Sequence, residues 1–187
     1  MMNSETDHLS NSLVYEDALP LSWEKMVGES QTINLSRVAE HNEHVLRCVN
    51  LLSDQFTDRV DEESETESTL VRLEAKVNLV MEILSKLAAE RSDTPKSVRV
   101  RVAATGIEWV CTEQPPLKGD MIWVQLHIDN RVPEAVQLAA QVVSVTDVAS
   151  GVAVFARFED MGEGVQDQLE KLIFRHHRRM VAQSKSK

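Results

Sequence analysis

Apolar and polar positions repeat every seven residues from 35 to 91. With Leu35 at heptad position a, that position continues through Asn42, Val49, Phe56, Glu63, Leu70, Val77 and Leu84. Position d runs through Val38, Val45, Leu52, Arg59, Thr66, Leu73, Val80 and Leu87. Twelve of these 16 positions are apolar and no Pro or Gly interrupts the stretch, so the pattern predicts one coiled-coil helix. At 1.5 Å per residue it would reach roughly 85 Å, longer than the core of a small domain, and its seam would need covering by other copies. The predicted oligomerisation positions are Leu35, Val38, Asn42, Val45, Val49, Leu52, Phe56, Leu70, Leu73, Val77, Val80, Leu84 and Leu87. Positions e and g add Ala39, Leu46, Cys48, Met81 and Ile83 to the apolar face, which favours a homotetramer over the competing dimer. Asn42 reads as a register device in that seam. Arg59, Glu63 and Thr66 make a weak middle, compatible with interhelical pairing or with a kink.

Beyond a turn at 92 to 95 the period changes from seven to two. Val98, Val100 and Val102 alternate with Arg99 and Arg101, as in a half-buried strand. Gly106 breaks the run, and further strands are predicted over 107–112, 121–128, 136–148 and 152–158, separated by Pro, Gly and Asn turns. A helix follows over about 165–183, with Val165, Leu169, Leu172, Ile173, His176 and Met180 on its buried face. The predicted fold class is α+β: a long coiled-coil helix, then a small antiparallel β-barrel with a C-terminal helix. Three parts follow: a partly disordered segment 1–34, the heptad helix 35–91, and the barrel with its helix 97–183. Within the first part, Leu13 to Trp23 reads as a hydrophobic clasp packing on the coil or barrel, or else as a peptide-docking or partner site, with Ser22 capping a short helix that runs to Met26.

Charge and cysteine usage narrow the function. A net charge of −10 argues against a general binder of nucleic acid or of anionic membrane surfaces. Cys48 and Cys111 have no paired spacing and read as reduced thiols, and no apolar run approaches the roughly 18 residues of a membrane span. A cytoplasmic location without membrane insertion is expected. His41 and His44 lie three apart without the zinc-protease spacing, and no phosphate loop, GxSxG or dinucleotide fingerprint occurs, so neither a metal site nor an enzyme is expected. Arg175, His176, His177, Arg178 and Arg179 concentrate positive charge near the C-terminus, either as a surface for an unknown acidic protein partner or as a solvated helix end.

Pro116, Leu117, Lys118, Gly119 and Asp120, leading into Ile122, Val124 and Leu126, resemble the turn before a central strand of PilZ domains. Gln141 to Val148 followed by Gly151 to Phe158 resembles the hairpin that closes that barrel before its final helix. With a heptad helix ahead of it, the chain resembles the atypical, tetrameric PilZ group known from xanthomonads. The resemblance implies a cyclic di-GMP receptor-like domain, whose receptors hold the ligand with RxxxR and D/NxSxxG motifs. Aligning Gly106 with the last glycine puts Ala103 at the Ser and Arg101 at the Asp or Asn, so the nucleotide motif is degenerate. Ahead of the first strand Arg91 stands without a second arginine, and Arg175 with Arg179 has the spacing only on the final helix. Without the arginine forks and the Ser hydroxyl, cyclic di-GMP binding at the usual site is not expected, and no cofactor is. The resemblance thus implies a non-enzymatic scaffold or adaptor in cyclic di-GMP signalling. Its rivals are a receptor using the displaced Arg99, Arg101 and Arg157, and a purely structural coiled-coil assembly protein.

Overall fold

The two-residue alternation read after residue 95 becomes a closed barrel. The computed structural model describes residues 9, 12–26, 35–54, eight helical positions between 73 and 84, and 95–185. The elements are β1 (Tyr15–Lys25), α1 (Leu35–Asp54), β2 (Ser97–Ala103), β3 (Gly106–Cys111), β4 (Met121–Leu126), β5 (Val136–Val148), β6 (Gly151–Phe158) and α2 (Glu163–Lys185). All six strands are antiparallel to their neighbours, in the order β1-β2-β3-β6-β5-β4, with β4 returning to β1. Val100, Val102, Ile107, Ile122, Val124, Val142 and Val154 fill the interior and are essentially inaccessible. Closure leaves no free sheet edge to pair with another chain.

β1 corrects one expectation. The stretch expected to form a clasp with a short helix from Ser22 to Met26 is an eleven-residue strand of the barrel itself. Leu19 and Leu21 alternate into the core, and that two-residue period overrides the weak helix signal of Ser22. Pro20 marks the point where β1 changes partner: Tyr15 to Pro20 pair with β2, and Leu21 to Lys25 pair with β4. A residue without an N–H is tolerated where one ladder ends and another begins. At its far end, Lys25 Nζ meets Asp120 Oδ1 at 2.7 Å, and Asp120 Oδ2 accepts the Leu117 N–H at 3.1 Å, so the β3–β4 turn and β1 are tied together.

α1 corrects another. Asn42, Val45, Leu46 and Val49 are buried within a single chain, against β5 and α2. The Asn42 amide donates from Nδ2 to the Gln137 carbonyl at 2.6 Å and accepts the Gln137 N–H at 2.8 Å, so this residue locks the helix to β5 rather than setting a helix register. Val38 and Leu52 are half-buried on the same side. The wide apolar face over 38–52 therefore serves the chain's own barrel, and it does not count strands in an assembly. Leu35 opens α1. Phe56, Leu70 and Leu87 lie outside the described residues.

The two helices run in the same direction. Glu43 on α1 lies against Gly164 at the start of α2, where a Cβ would have to displace its flexible carboxylate. Two turns further along α1, Asn50 Nδ2 donates to the Gln168 carbonyl at 3.0 Å, and Arg175 Nη1 donates to the Asn50 carbonyl at 2.8 Å. Val165, Leu169, Leu172 and Ile173 are buried as expected. Met180 is not, being 55% exposed, because it stands at the rim of an open hollow that it lines with Glu16, Asp17 and Arg99.

Candidate functional site

Three features are candidates for function: the outer face of β2, β3 and β6, the basic end of α2, and the helical positions between 73 and 84. On the outer face, register sets the neighbours. Arg101 pairs with Glu108 across β2 and β3, and Arg101 Nη1 lies 3.2 Å from Glu108 Oε2 with both side chains about a quarter exposed. Arg99 Nε donates to Glu16 Oε1 at 2.8 Å on β1, and Arg157 Nη2 donates to Gln141 Oε1 at 3.2 Å on β5. The three displaced arginines thus stand on the strands expected of them, each engaged by a neighbouring strand. No two of them join in one cluster by any of these bonds.

Ala103 is also on this face but is fully buried. Above it, Leu9 packs with Phe155, flanked by Val14 and Val143. Gly106 is required beneath them, since a Cβ there would lie 2.6 Å from the Ala156 carbonyl oxygen and 3.0 Å from the Phe155 ring. The positions expected to form a degenerate motif, Arg101, Ala103 and Gly106, thus make an apolar, covered patch with a paired cation at its side. Leu9 and Phe155 were missed by the sequence reading. Phe155 falls at an outward position of β6, between the inward Val154 and Ala156, and a large apolar residue there signals that something covers it.

The basic residues of α2 divide. Arg175 points to α1, where it holds the Asn50 carbonyl, so it is part of the fold and not of an open surface. His176 is half-buried against Tyr15, ring centroids 4.3 Å apart. Burial pushes the His176 imidazole below its ordinary value, and burial followed by Asp17 pushes the Tyr15 hydroxyl up. His177, Arg178 and Arg179 remain exposed. The two histidines of α1 part company: His41 Nε2 sits 3.3 Å from the Ala135 carbonyl, whereas His44 faces Cys48 Sγ at 3.7 Å. Among the described residues, no three His, Cys, Asp or Glu side chains converge as a metal site.

Between 73 and 84 the described positions are helical, and Leu73, Val77, Leu79, Val80, Ile83 and Leu84 are each between 50% and 58% exposed. Four of these, Leu73, Val77, Val80 and Leu84, are the predicted a and d positions. No helix among the described residues is long and apolar enough to cross a membrane.

The closed barrel with a C-terminal helix is a PilZ-type fold. The sequence model of the atypical PilZ domain, described as a cyclic di-GMP receptor, matches residues 46–186, and the chain belongs to this atypical PilZ family. Its structure is similar to that of a pathogenic protein from Xanthomonas campestris, a tetrameric PilZ domain described as self-assembled through an unusual helical bundle. The two share 24% identity over 92% of each chain, with a TM-score of 0.69. YcgR from Escherichia coli in complex with c-di-GMP is 16% identical over 51% of this chain and 42% of that one, with a TM-score of 0.41. The isolated YcgR PilZ domain with c-di-GMP is 17% identical over 52% and 82%, with a TM-score of 0.37. No curated protein matches the chain.

Proposed function

We propose that this chain is a non-enzymatic scaffold or adaptor in cyclic di-GMP signalling whose barrels are carried on a helical homotetramer. The observation that carries the assembly is the helical seam: six large apolar side chains between 73 and 84 are half or more exposed in the lone chain. That much apolar surface on one short helical stretch needs a partner, and identical helices offer one of matching pattern. The self-assembly described for the similar Xanthomonas campestris protein supports the same reading. The first half of the heptad stretch is locked to the barrel through Asn42, Val45 and Val49.

The adaptor role follows from the motif face. Arg101 faces Glu108, Ala103 offers no hydroxyl and lies under Leu9, and the only other arginines on these strands are engaged elsewhere. A dinucleotide there would find neither paired guanidiniums for its phosphates nor an open surface. Calorimetry with cyclic di-GMP tests this: no binding tighter than about 100 μM, near −5.5 kcal/mol, is expected. Saturable low-micromolar binding that is lost in Arg99→Ala, Arg101→Ala or Arg157→Ala would establish the receptor reading instead.

A further inference from the structure

Trp123 is buried on the outer side of the barrel. Ile122 and Val124 on either side of it are fully buried in the interior, so the alternation of β4 turns Trp123 outward, opposite Ala139 of β5. It is nevertheless only 4% exposed. Among the described residues, its indole Nε1 is the single buried side-chain nitrogen or oxygen without a hydrogen-bond partner. An indole nitrogen can only donate, so what it lacks is an acceptor. Native interiors rarely leave such a donor unmet, because nothing then offsets its lost hydration.

The same side chain lines an open-mouthed cavity of about 230 Å³ beneath the start of α1. The helix contributes Ala39 to the wall, β5 contributes Ala139, and the link from β6 to α2 contributes Met161 and Gly162. Three of these four residues are small, and they do not close on one another: a Cβ built on Gly162 would still be 4.0 Å from the Ala39 Cβ. Asn42 also borders the space, but its amide is committed in both directions to the Gln137 backbone. Asp160 is the only ionisable side chain in the wall, and its Oδ1 accepts the Gly162 N–H at 3.1 Å.

These features select a ligand by size, charge and hydrogen bonding. The volume exceeds the roughly 150 Å³ that holds a benzene ring in an engineered apolar cavity, so a ring-sized molecule has room. A carboxylate with no cation in the same wall disfavours anions. A protonated amine would be drawn to Asp160 but brings no acceptor to the indole. We propose that this cavity is a binding site for a small uncharged carbonyl compound, whose oxygen accepts the Trp123 Nε1–H while its apolar body rests against Ala39, Ala139 and Met161.

The test uses acetophenone as the probe and ethylbenzene as a match of similar shape without the acceptor. The full chain, deuterated and carrying ¹⁵N-labelled tryptophan, gives one indole N–H resonance for each of Trp23, Trp109 and Trp123, and Trp123→Phe assigns the third by its loss. Acetophenone at millimolar concentration should shift the Trp123 resonance saturably and leave the other two in place. Ethylbenzene should bind at least tenfold more weakly, as should acetophenone to Trp123→Phe when followed by saturation-transfer signals of the probe. Ala39→Leu, which fills the cavity and removes no hydrogen bond, should abolish the shift. An unmoved Trp123 resonance, or equal shifts of all three indoles, would overturn the proposal. So would equal binding of ethylbenzene, undiminished binding to Trp123→Phe, or a shift that persists in Ala39→Leu. Neither cyclic di-GMP nor the mass of the assembly enters these measurements, so their failure is distinct from a failure of the function proposed above.

Discussion

Asn42 presents its amide to β5 as a neighbouring peptide group would, giving one hydrogen bond and taking one from Gln137. Replacing it with Leu would strand a buried N–H and a buried carbonyl, at about 1–3 kcal/mol for each unsatisfied group. Asn42→Leu should therefore cost about 2–6 kcal/mol of unfolding stability, read as a lower denaturant midpoint, while leaving the assembly's mass unchanged; a changed mass at unchanged stability would restore the register role. At His176 the relevant variable is the proton. Burial lowers its pKa, and burial does the same at His127, so in both the unfolded chain binds protons more readily than the folded one. The groups facing His176 are Tyr15, Glu16 and Asp17 from β1, and His177 and Arg179 from its own helix; the two carboxylates oppose the shift and the cations reinforce it. The stability tied to these neutral imidazoles is fully present above the unfolded value of about 6.5 and falls as the pH drops toward the lowered folded values. Thermal melts should show stability declining from pH 7 to pH 5, with His176→Gln removing part of the decline. An identical slope in the variant would clear His176 of any part in it.

Among the elements, α1 and α2 form a parallel pair joined by polar bonds that the helical pattern does not announce. Arg175 spans the pair by donating to a carbonyl of α1, whereas Arg178, three residues on, is exposed. Arg175→Ala should cost about 1.5–3 kcal/mol in chemical unfolding, the range for a hydrogen bond from a charged group, and Arg178→Ala should stay within about 0.5 kcal/mol. Similar effects from both would mean that Arg175 does not clamp the helices. The barrel strands from β2 to β6 were legible in the sequence because each carries the two-residue period between strong turn residues such as Gly106, Gly119 and Gly151. β1 was not, since Pro20 and the distance of about 70 residues to β2 hid a pairing that only tertiary closure creates. The heptad pattern was legible as a helix but ambiguous as to partner. An apolar stripe at 45, 46 and 49 looks the same whether it meets another copy or the chain's own β5, and Asn42 beside it is the residue that separates the two once its bonds are seen. The patch around Ala103 was half legible: Arg101 and Ala103 stand out in the sequence as departures from the receptor motif, while the packing of Leu9 with Ala103 and Phe155 depends on a contact between distant parts of the chain.

At the scale of the whole molecule, the proposed assembly through the positions at 73–84 would form without cyclic di-GMP. The charge of −10 is compatible with this, since it would keep such assemblies apart in solution once the apolar seam is covered. Val77 is 51% exposed in the lone chain, and Val45 is 2% exposed. The most direct single measurement is sedimentation equilibrium of the native chain at micromolar concentration, with and without saturating cyclic di-GMP. A homotetramer of 21.1 kDa chains has a mass of about 84 kDa, and the account predicts that value in both samples, with Val77→Asp reducing it. A mass near 21 kDa for the native chain, or one that changes on adding the nucleotide, would contradict it.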